Sequence, residues 1–514
     1  MGAVILNTAD PASTAATTAE SKSATTAAAP AATTAESTAA TTAAGTATTT
    51  PLWRPPAPRP LGPLRSLFRV LLKGERNLLS LLPAPAYRLR IGLLGWSRRG
   101  IVLVNEPALV SEVLLDPQQI YPKNDLMVDA LQALVGDSMF VCSGPVWQRQ
   151  RAMIAPAFAL MRMETVFDGM CLAVEEQVAA LAQASAAGTS LSLDAMLSRL
   201  TADIVCRALF SVPLTSQAAR AVFEDFLIFE RSCASVNVGQ LIFGRPWAAA
   251  PQSPAVREAC ARIRAQIGVL LDDREARGGG ATDIAGMLLV ARDPDTGGAF
   301  TREELIDQLG VFFLAGHETT ASALTWAFFI LSMQPALADR VRHEVAGQRA
   351  RGVLDVAALR QLPFTRNVFR ETLRLYPPIT FLPRVALRDG MLGSCRIRRG
   401  NMIMIAPWIL HRHAGFWQHP EHFDPDRFDR GLDRGQGAGT YIPFGQGPRV
   451  CVGAAFANLE ATLILARLLE CFDFVVEHPE QVRPAARLTT RPEREIHVRV
   501  IKRTPDPATG QAHT

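Results

Sequence analysis

Apolar positions in this chain recur mostly at helical spacing. The strongest such run extends from Leu309 to Gln334, where His317 and Glu318 are the only residues that ionise near neutral pH. Ahead of it, Thr301-Arg302-Glu303-Glu304 reads as a capping box, so the spacing predicts one long helix from Thr301 through Met333. A run this apolar could cross a bilayer, but an ionisable pair at mid-span is costly in lipid, and a buried core helix is predicted instead. After Cys451, the residues Val452, Ala455, Phe456, Leu459, Leu463, Ala466 and Leu469 again follow helical spacing, which puts the thiol at a helix start. From Pro107 to about Ala291 the pattern predicts helices broken at Pro and Gly, with loops at Gly278–Gly280 and Asp293–Gly298. Helices continue to about Tyr376. Short strands and turns are predicted from Thr380 to Thr440, a hairpin from Tyr87–Gly92 and Gly100–Asn105, and strands after the Cys451 helix. Leu61 to Leu82, apolar with interspersed Arg65, Arg69, Lys73 and Arg76, predicts an amphipathic helix packed on the body. The sum is a mainly α chain with a minor β part.

Composition trims this picture at its start. Residues 11 to 50 are nearly all Ala, Thr, Ser, Glu and Pro, so residues 1–50 are expected to form a disordered tail and residues 51–514 the folded domain. The tail lacks the apolar core of a secretory signal and the arginines of a transit peptide, and no export is expected. With 514 residues, 48% hydrophobic and 20% charged, the chain can bury a large core. Its 8 cysteines are scattered without a CxxC pair, which suits a reducing cytoplasm. A formal charge of +5 is too weak and too dispersed to argue for nucleic acid. A monomer without a transmembrane anchor is expected.

Four groups of residues could carry chemistry. Cys451 sits in Phe444-Gly445-Gln446-Gly447-Pro448-Arg449-Val450-Cys451-Val452-Gly453. A thiol at a helix start is favoured as thiolate, a soft metal ligand, and the glycines let backbone approach a flat ligand while Arg449 can pair an anion. A lone cysteine of this kind would be read as packing. In Ala315-Gly316-His317-Glu318-Thr319-Thr320, mid-way along the long helix, the Thr319 hydroxyl can bond the Ala315 carbonyl and open the helix locally. There an acid and an alcohol side by side make a proton relay. Glu371 and Arg374 stand one helical turn apart, as do Trp147 and Arg151, and each pair read alone is a surface contact. Zinc hydrolysis is excluded because the second histidine that His317-Glu318 would need is Ala321, and Gly445-x-Gly447 lacks the third glycine of a dinucleotide fingerprint.

Phe-x-x-Gly-x-Arg-x-Cys-x-Gly, present here from Phe444 to Gly453, resembles the haem-binding signature of the cytochrome P-450 superfamily, the haem-thiolate monooxygenases. The resemblance extends from about Pro51 to the C-terminus. It implies the P-450 fold, with haem b (iron protoporphyrin IX) between the long central helix and the Cys-ligand helix. It further implies Cys451 as the iron ligand and Glu318 with Thr319 as the acid–alcohol pair that manages protons when O2 is cleaved. Trp147, Arg151, Arg384 and Arg449 would hold the propionates, with Phe444 and Gly453 flanking the sulfur. Glu371 and Arg374, completed by Arg427, would hold the scaffold. Asp426 stands where many relatives carry Glu, and His411 and His413 are read as structural.

The implied activity is insertion of one oxygen atom, by hydroxylation or epoxidation, into an apolar small molecule such as a fatty acyl or terpenoid compound. Phe312, Phe313, Ala315, Ile379, Phe381 and Leu382 are expected to line the pocket, and Tyr121 to Phe140 to cover it. No ligand cluster for a fused reductase is present, so electrons are expected from a separate ferredoxin or flavodoxin with its reductase, docking near Arg449. A non-catalytic haem sensor and a peroxide-driven peroxygenase are the alternatives, and the acid–alcohol pair favours the monooxygenase over both.

Overall fold

The computed structural model describes residues 53–62, 77–94, 100–160, 163–233, 252–278, 280, 282–431 and 439–504. The expected tail at 1–50 and residues 63–76 of the expected Leu61–Leu82 helix lie outside them; Leu78–Leu81 forms a short 3-10 turn.

The helices are α1 (Pro107–Leu115), α2 (Asp125–Val135), α3 (Gly144–Leu160), α4 (Met163–Ala187), α5 (Leu193–Phe210), α6 (Gln217–Cys233), α7 (Pro254–Arg277), α8 (Ile284–Val290), α9 (Arg302–Met333), α10 (Pro335–Arg349), α11 (Val356–Arg360), α12 (Pro363–Leu375), α13 (Pro407–Leu410) and α14 (Ala454–Cys471). Strands are short: β1 (Ile91–Leu94), β2 (Ile101–Val104), β3 (Ser190–Ser192), β4 (Leu382–Val385), β5 (Gly390–Leu392), β6 (Cys395–Ile397), β7 (Met402–Ile405), β8 (Phe472–Val476), β9 (Pro484–Ala486), β10 (Thr490–Pro492) and β11 (His497–Lys502). The largest sheet has the order β1-β2-β7-β4, with β2 and β7 parallel. The expected hairpin forms as β1 and β2, antiparallel from Ile91↔Val104 to Leu94↔Ile101. It starts four residues late, because Pro83 and Pro85 favour a 3-10 turn at Ala84–Tyr87.

Helix α9 carries the architecture. Thr301 accepts from the Glu304 amide and Glu304 accepts back from the Thr301 amide, so the predicted capping box starts it, and Pro335 ends it. Its 32 residues span about 48 Å. Helices α5, α12 and α14 pack around it through Leu197, Val368, Phe369, Leu463 and Ile464, all buried. Burial of each such aliphatic side chain stabilises the fold by roughly 1.5–3 kcal/mol. A second, smaller core fills the space beneath the β1-β2-β7-β4 sheet, where Val102, Val104, Ile403 and Ile405 meet Val110 and Val113 of α1. Among the described residues no single helix is long and apolar enough to cross a membrane; α9 and α10 qualify only as a pair, bent by 109°, and α9 is a core helix.

Candidate active site

From Leu305 to Leu331, every residue of α9 is buried except Ala315, Gly316 and Thr319. These three share one helical face, so an otherwise enclosed helix opens at its middle. Small side chains keep that opening shallow, and the Gly316 backbone packs so closely on α5 that a Cβ there would lie 2.8 Å from Val205. Thr319 Oγ1 donates to the Ala315 carbonyl at 2.7 Å, which commits its proton to the helix and leaves its lone pairs for the open face. The helix nevertheless continues without a break, because that bond adds to the backbone ladder without displacing it.

Glu318 and Thr319 do not touch. At about 100° per residue, neighbouring helical side chains diverge, and Glu318 faces the β9–β10 hairpin. There Thr489 Oγ1 donates to it at 2.6 Å and Arg491 Nε at 2.7 Å. Burial pushes the Glu318 carboxyl up, but Arg491, Glu230 and His317 together bring it below the usual carboxylate range. His317 points to α6, its Nδ1 donating to the Phe313 carbonyl at 2.8 Å, and burial depresses its imidazole to about 4.

Cys451 lies on α14's approach, three residues before Ala454, and not in its first turn. Its amide donates to the Phe444 carbonyl at 3.0 Å and closes the loop. Gly447 has φ +76 and approaches α1 so closely that a Cβ would stand 2.5 Å from the Leu114 carbonyl oxygen; Gly445 has φ +75. Both positions therefore require glycine. The thiol retains accessible surface, yet burial raises its pKa against the opposing pull of the Gly453 amide and Arg151. Accessible surface within dense surroundings describes a side chain lining an interior hollow. The helix-start argument for a free thiolate is thus outweighed by desolvation, and bonding to a metal is what would hold the deprotonated form.

Four cations converge beside this loop. Arg151 Nη1 donates to the Val450 carbonyl at 3.0 Å, and Arg449 Nη2 donates to the Cys142 carbonyl at 3.0 Å and to Ser143 Oγ at 3.3 Å. The Arg449 guanidinium also covers the Trp147 ring at 4.4 Å, so Trp147 stacks with Arg449 and not with Arg151. Arg384 is buried on β4, with the Pro383 carbonyl as acceptor at 3.0 Å. Lys123, which the sequence did not flag, is brought next to Arg384 by a bridge between the 120–124 segment and β4, and donates to the Phe140 carbonyl. None of the four has a carboxylate within ion-pair distance among the described residues, and the buried Arg449 Nη1 has no partner at all. Burial, then Arg449 and Arg384, push the Lys123 ammonium well down; burial and Arg449 pull Arg384 to about 10. Asp116 gives Arg384 and Arg449 only the weakest of their influences, because its carboxylate accepts from the Ile120 and Tyr121 amides, each at 2.8 Å, and pairs with neither arginine. Clustered, desolvated cations of this kind fit a planar ligand with a dianionic edge, as haem b has in its two propionates.

Phe312 is buried edge-to-face against Phe158, with ring centroids 5.1 Å apart. Ile379, Phe381 and Leu382 are half-buried where the chain enters β4. Phe313 is a correction to the expected pocket: it lies on the far side of α9, packed on Phe226 at 5.8 Å and on His317 at 4.9 Å. Arg449 is turned inward by Trp147 and the Cys142 carbonyl, which takes its charge away from a docking surface. Glu460, on α14, also escaped sequence reasoning. It is fully buried facing Thr320, neither oxygen has a hydrogen-bond partner, and burial raises its carboxyl well above the usual range. An acid between Phe456 and Leu463 on an apolar stripe was the available signal.

Glu371, Arg374 and Arg427 close into a knot. Arg374 donates to Glu371 at 2.7 and 2.8 Å, and Arg427 at 2.9 Å. His411 Nε2 accepts from the Ile442 amide at 2.9 Å and His413 stacks on Phe416, both structural arrangements.

The family description "Cytochrome P450" matches residues 89–500. Cyclooctatin synthase of Streptomyces melanosporofaciens is 30% identical over 448 residues, covering 85% of this chain and 93% of that protein. Cyclooctat-9-en-7-ol 5-monooxygenase of the same organism is 30% identical over 374 residues, covering 71% and 78%. Among solved structures, the heme domain of cytochrome P450DA superposes with a TM-score of 0.69 at 25% identity, over 81% of this chain and 90% of that one.

Proposed function

The chain belongs to the cytochrome P450 family of haem-thiolate monooxygenases, which carry protoporphyrin IX, and on that premise we propose that Cys451 would supply the thiolate to haem b while Thr319 and Glu318 manage protons. When bound, the haem supplies the redox chemistry by which one atom of O2 enters the substrate and the other leaves as water. Arg151, Arg384, Arg449 and Lys123 would hold its propionates, with Trp147 supporting Arg449 and Phe444 and Gly453 shaping the loop around the sulfur. Thr319 keeps its lone pairs on the open face of α9 and so accepts a hydrogen bond from a group bound there. Glu318, held by Arg491 and Thr489, is the acid behind that face.

The substrate is an apolar small molecule, oriented by shape against Phe312, Ala315, Ile379, Phe381 and Leu382. Of the fatty acyl and terpenoid classes, the carbocyclic substrate and product names of the two bacterial relatives favour the terpenoid. Electrons come from a separate ferredoxin or flavodoxin with its reductase. If docking is electrostatic, reduction slows as ionic strength rises; an unchanged rate would exclude it.

One observation carries this reading: the single opening in α9, at Ala315, Gly316 and Thr319, occurs in a protein whose Cys451 loop is flanked by four cations that, among the described residues, pair with no carboxylate. The decisive experiment is the reduced carbon monoxide spectrum, which should show the red-shifted thiolate band and lose it entirely in Cys451→Ala. A wild-type spectrum without that band would overturn the assignment of Cys451. A screen of terpenoids and fatty acids by haem spin-state shift then identifies the substrate class without the redox partner.

A further inference from the structure

Glu318 is not the only acid on Arg491. Glu230, near the C-terminal end of α6, has its Oε1 2.9 Å from Arg491 Nη2, the same nitrogen that ion-pairs Glu318. The two carboxyl groups thus converge on one guanidinium nitrogen, close enough for each to act on the other's charge. Side-chain exposure rises along the set, from 2% at Glu318 to 13% at Glu230 and 21% at Arg491, so the cluster leads from the core to solvent.

Among the described residues, the charged or titratable neighbours of the pair come from four elements. From α9, His317 is buried and neutral, and its Nε2 has no partner. From α6, Arg231 is exposed. From α5, Asp194 faces Arg491 and accepts from the Ile496 amide at 2.9 Å. From the β9–β10 hairpin come Arg491 itself and the Thr489 hydroxyl. With both acids ionised, two carboxylates would share one guanidinium in a buried site, and such an imbalance is relieved by taking up a proton. Burial and the Glu318 charge hold the Glu230 carboxyl above its usual range, so that proton resides on Glu230.

We infer that Glu230 is a positioning residue for proton delivery: it stores one proton on the carboxyl pair clamped by Arg491 and passes it to Glu318, and the hairpin arginine sets which acid holds it. In the transfer the O–H bond on Glu230 breaks as one forms on Glu318. The pair keeps its single negative charge through this transfer; once Glu318 has released that proton towards the open face of α9, Glu230 takes up another from solvent and the starting state is restored. This rests on the proton role proposed for Glu318.

The test uses the holoenzyme and needs no substrate. Infrared spectra of wild type at pH 7 should contain a protonated-carboxyl stretch that disappears in Glu230→Gln and persists in Glu460→Gln, which separates it from the other buried acid. In Glu318→Gln the same band should titrate at lower pH, because the like charge is gone. O2-dependent NADPH oxidation, driven by a surrogate ferredoxin and its reductase, should slow about tenfold in Glu230→Gln and recover in part in Glu230→Asp. The carbon monoxide spectrum serves as the control for an intact haem site. A band indifferent to Glu230→Gln overturns the inference. If Glu318→Gln slows oxidation and Glu230→Gln does not, Glu230 falls and Glu318 stands; if neither slows it, the reading of Glu318 falls as well.

Discussion

Two groups of cations in this protein, one fully buried and one mostly half-buried, have opposite electrostatics. In the knot on α12, Arg374 and Arg427 share Glu371, and their remaining donors reach the carbonyls of His411 at 2.7 Å, Pro420 at 2.6 Å, Gln418 at 3.1 Å and His422 at 2.9 Å. These side chains are 0–1% exposed. Beside the Cys451 loop, Lys123, Arg151, Arg384 and Arg449 repel one another, contact only carbonyls, a hydroxyl and two rings, and leave a buried N–H unpaired. A buried charge with all its partners inside the chain holds the chain together. One without them is arranged for a partner from outside, and its cost in the ligand-free protein is offset on binding.

The sharpest way to break this contrast is Glu371→Ala. It strands two guanidiniums in the knot and should destabilise the protein by about 3–5 kcal/mol, read as a large fall in denaturation midpoint and in the yield of haem-loaded protein. Loss of only a few tenths of a kcal/mol would mean that the knot is a surface-like contact.

Per pH unit, a smaller effect is expected on acidification. His411, in the knot, is depressed to about 3 by burial, Arg374 and Arg412. Its folded pKa lies below the unfolded value of about 6.5, so its contribution is fully present above pH 6.5 and is lost as pH falls towards 3. The slope is at most about 1.4 kcal/mol per pH unit. His411→Gln, which retains an acceptor for the Ile442 amide, should flatten the acid limb of stability measured by denaturant titration.

At the ligand cluster the sign of the response should invert. Arg449→Met keeps the stem packed on Trp147 but removes an unpaired charge. Haem affinity should drop about ten- to a hundredfold in a transfer assay, while the haem-free protein becomes no less stable. A variant that destabilises both forms equally would place Arg449 in the scaffold. Lys123→Met should give the smallest change, about a fewfold in haem retention, because its ammonium is already held by the Phe140 carbonyl and ring.

Much of the fold was legible because it is built from local signals. The capping box at Thr301, the stop at Pro335 and the stripe after Cys451 each act over a turn or two, and each forms as its residues indicate. Glu371 and Arg374 were legible as a pair for the same reason, being one turn apart. Lys123 was not, since nothing in Pro122-Lys123-Asn124 shows that β4 will bring Arg384 beside it. Phe313 was misplaced because an apolar residue near Thr319 reads alike on either face of a fully buried helix; packing on Phe226 decides the face.

By itself, then, the sequence determined which residues could ligate, which helices form and where they start, because capping and periodicity are properties of a few adjacent residues. Only the tertiary structure decided where the charges balance. Glu318 turns from Thr319 to Arg491, 173 residues away, and shares it with Glu230. Arg449 turns inward onto Trp147. Burial energies and Coulomb interactions depend on what lies across the fold, and no local stretch of chain contains that information.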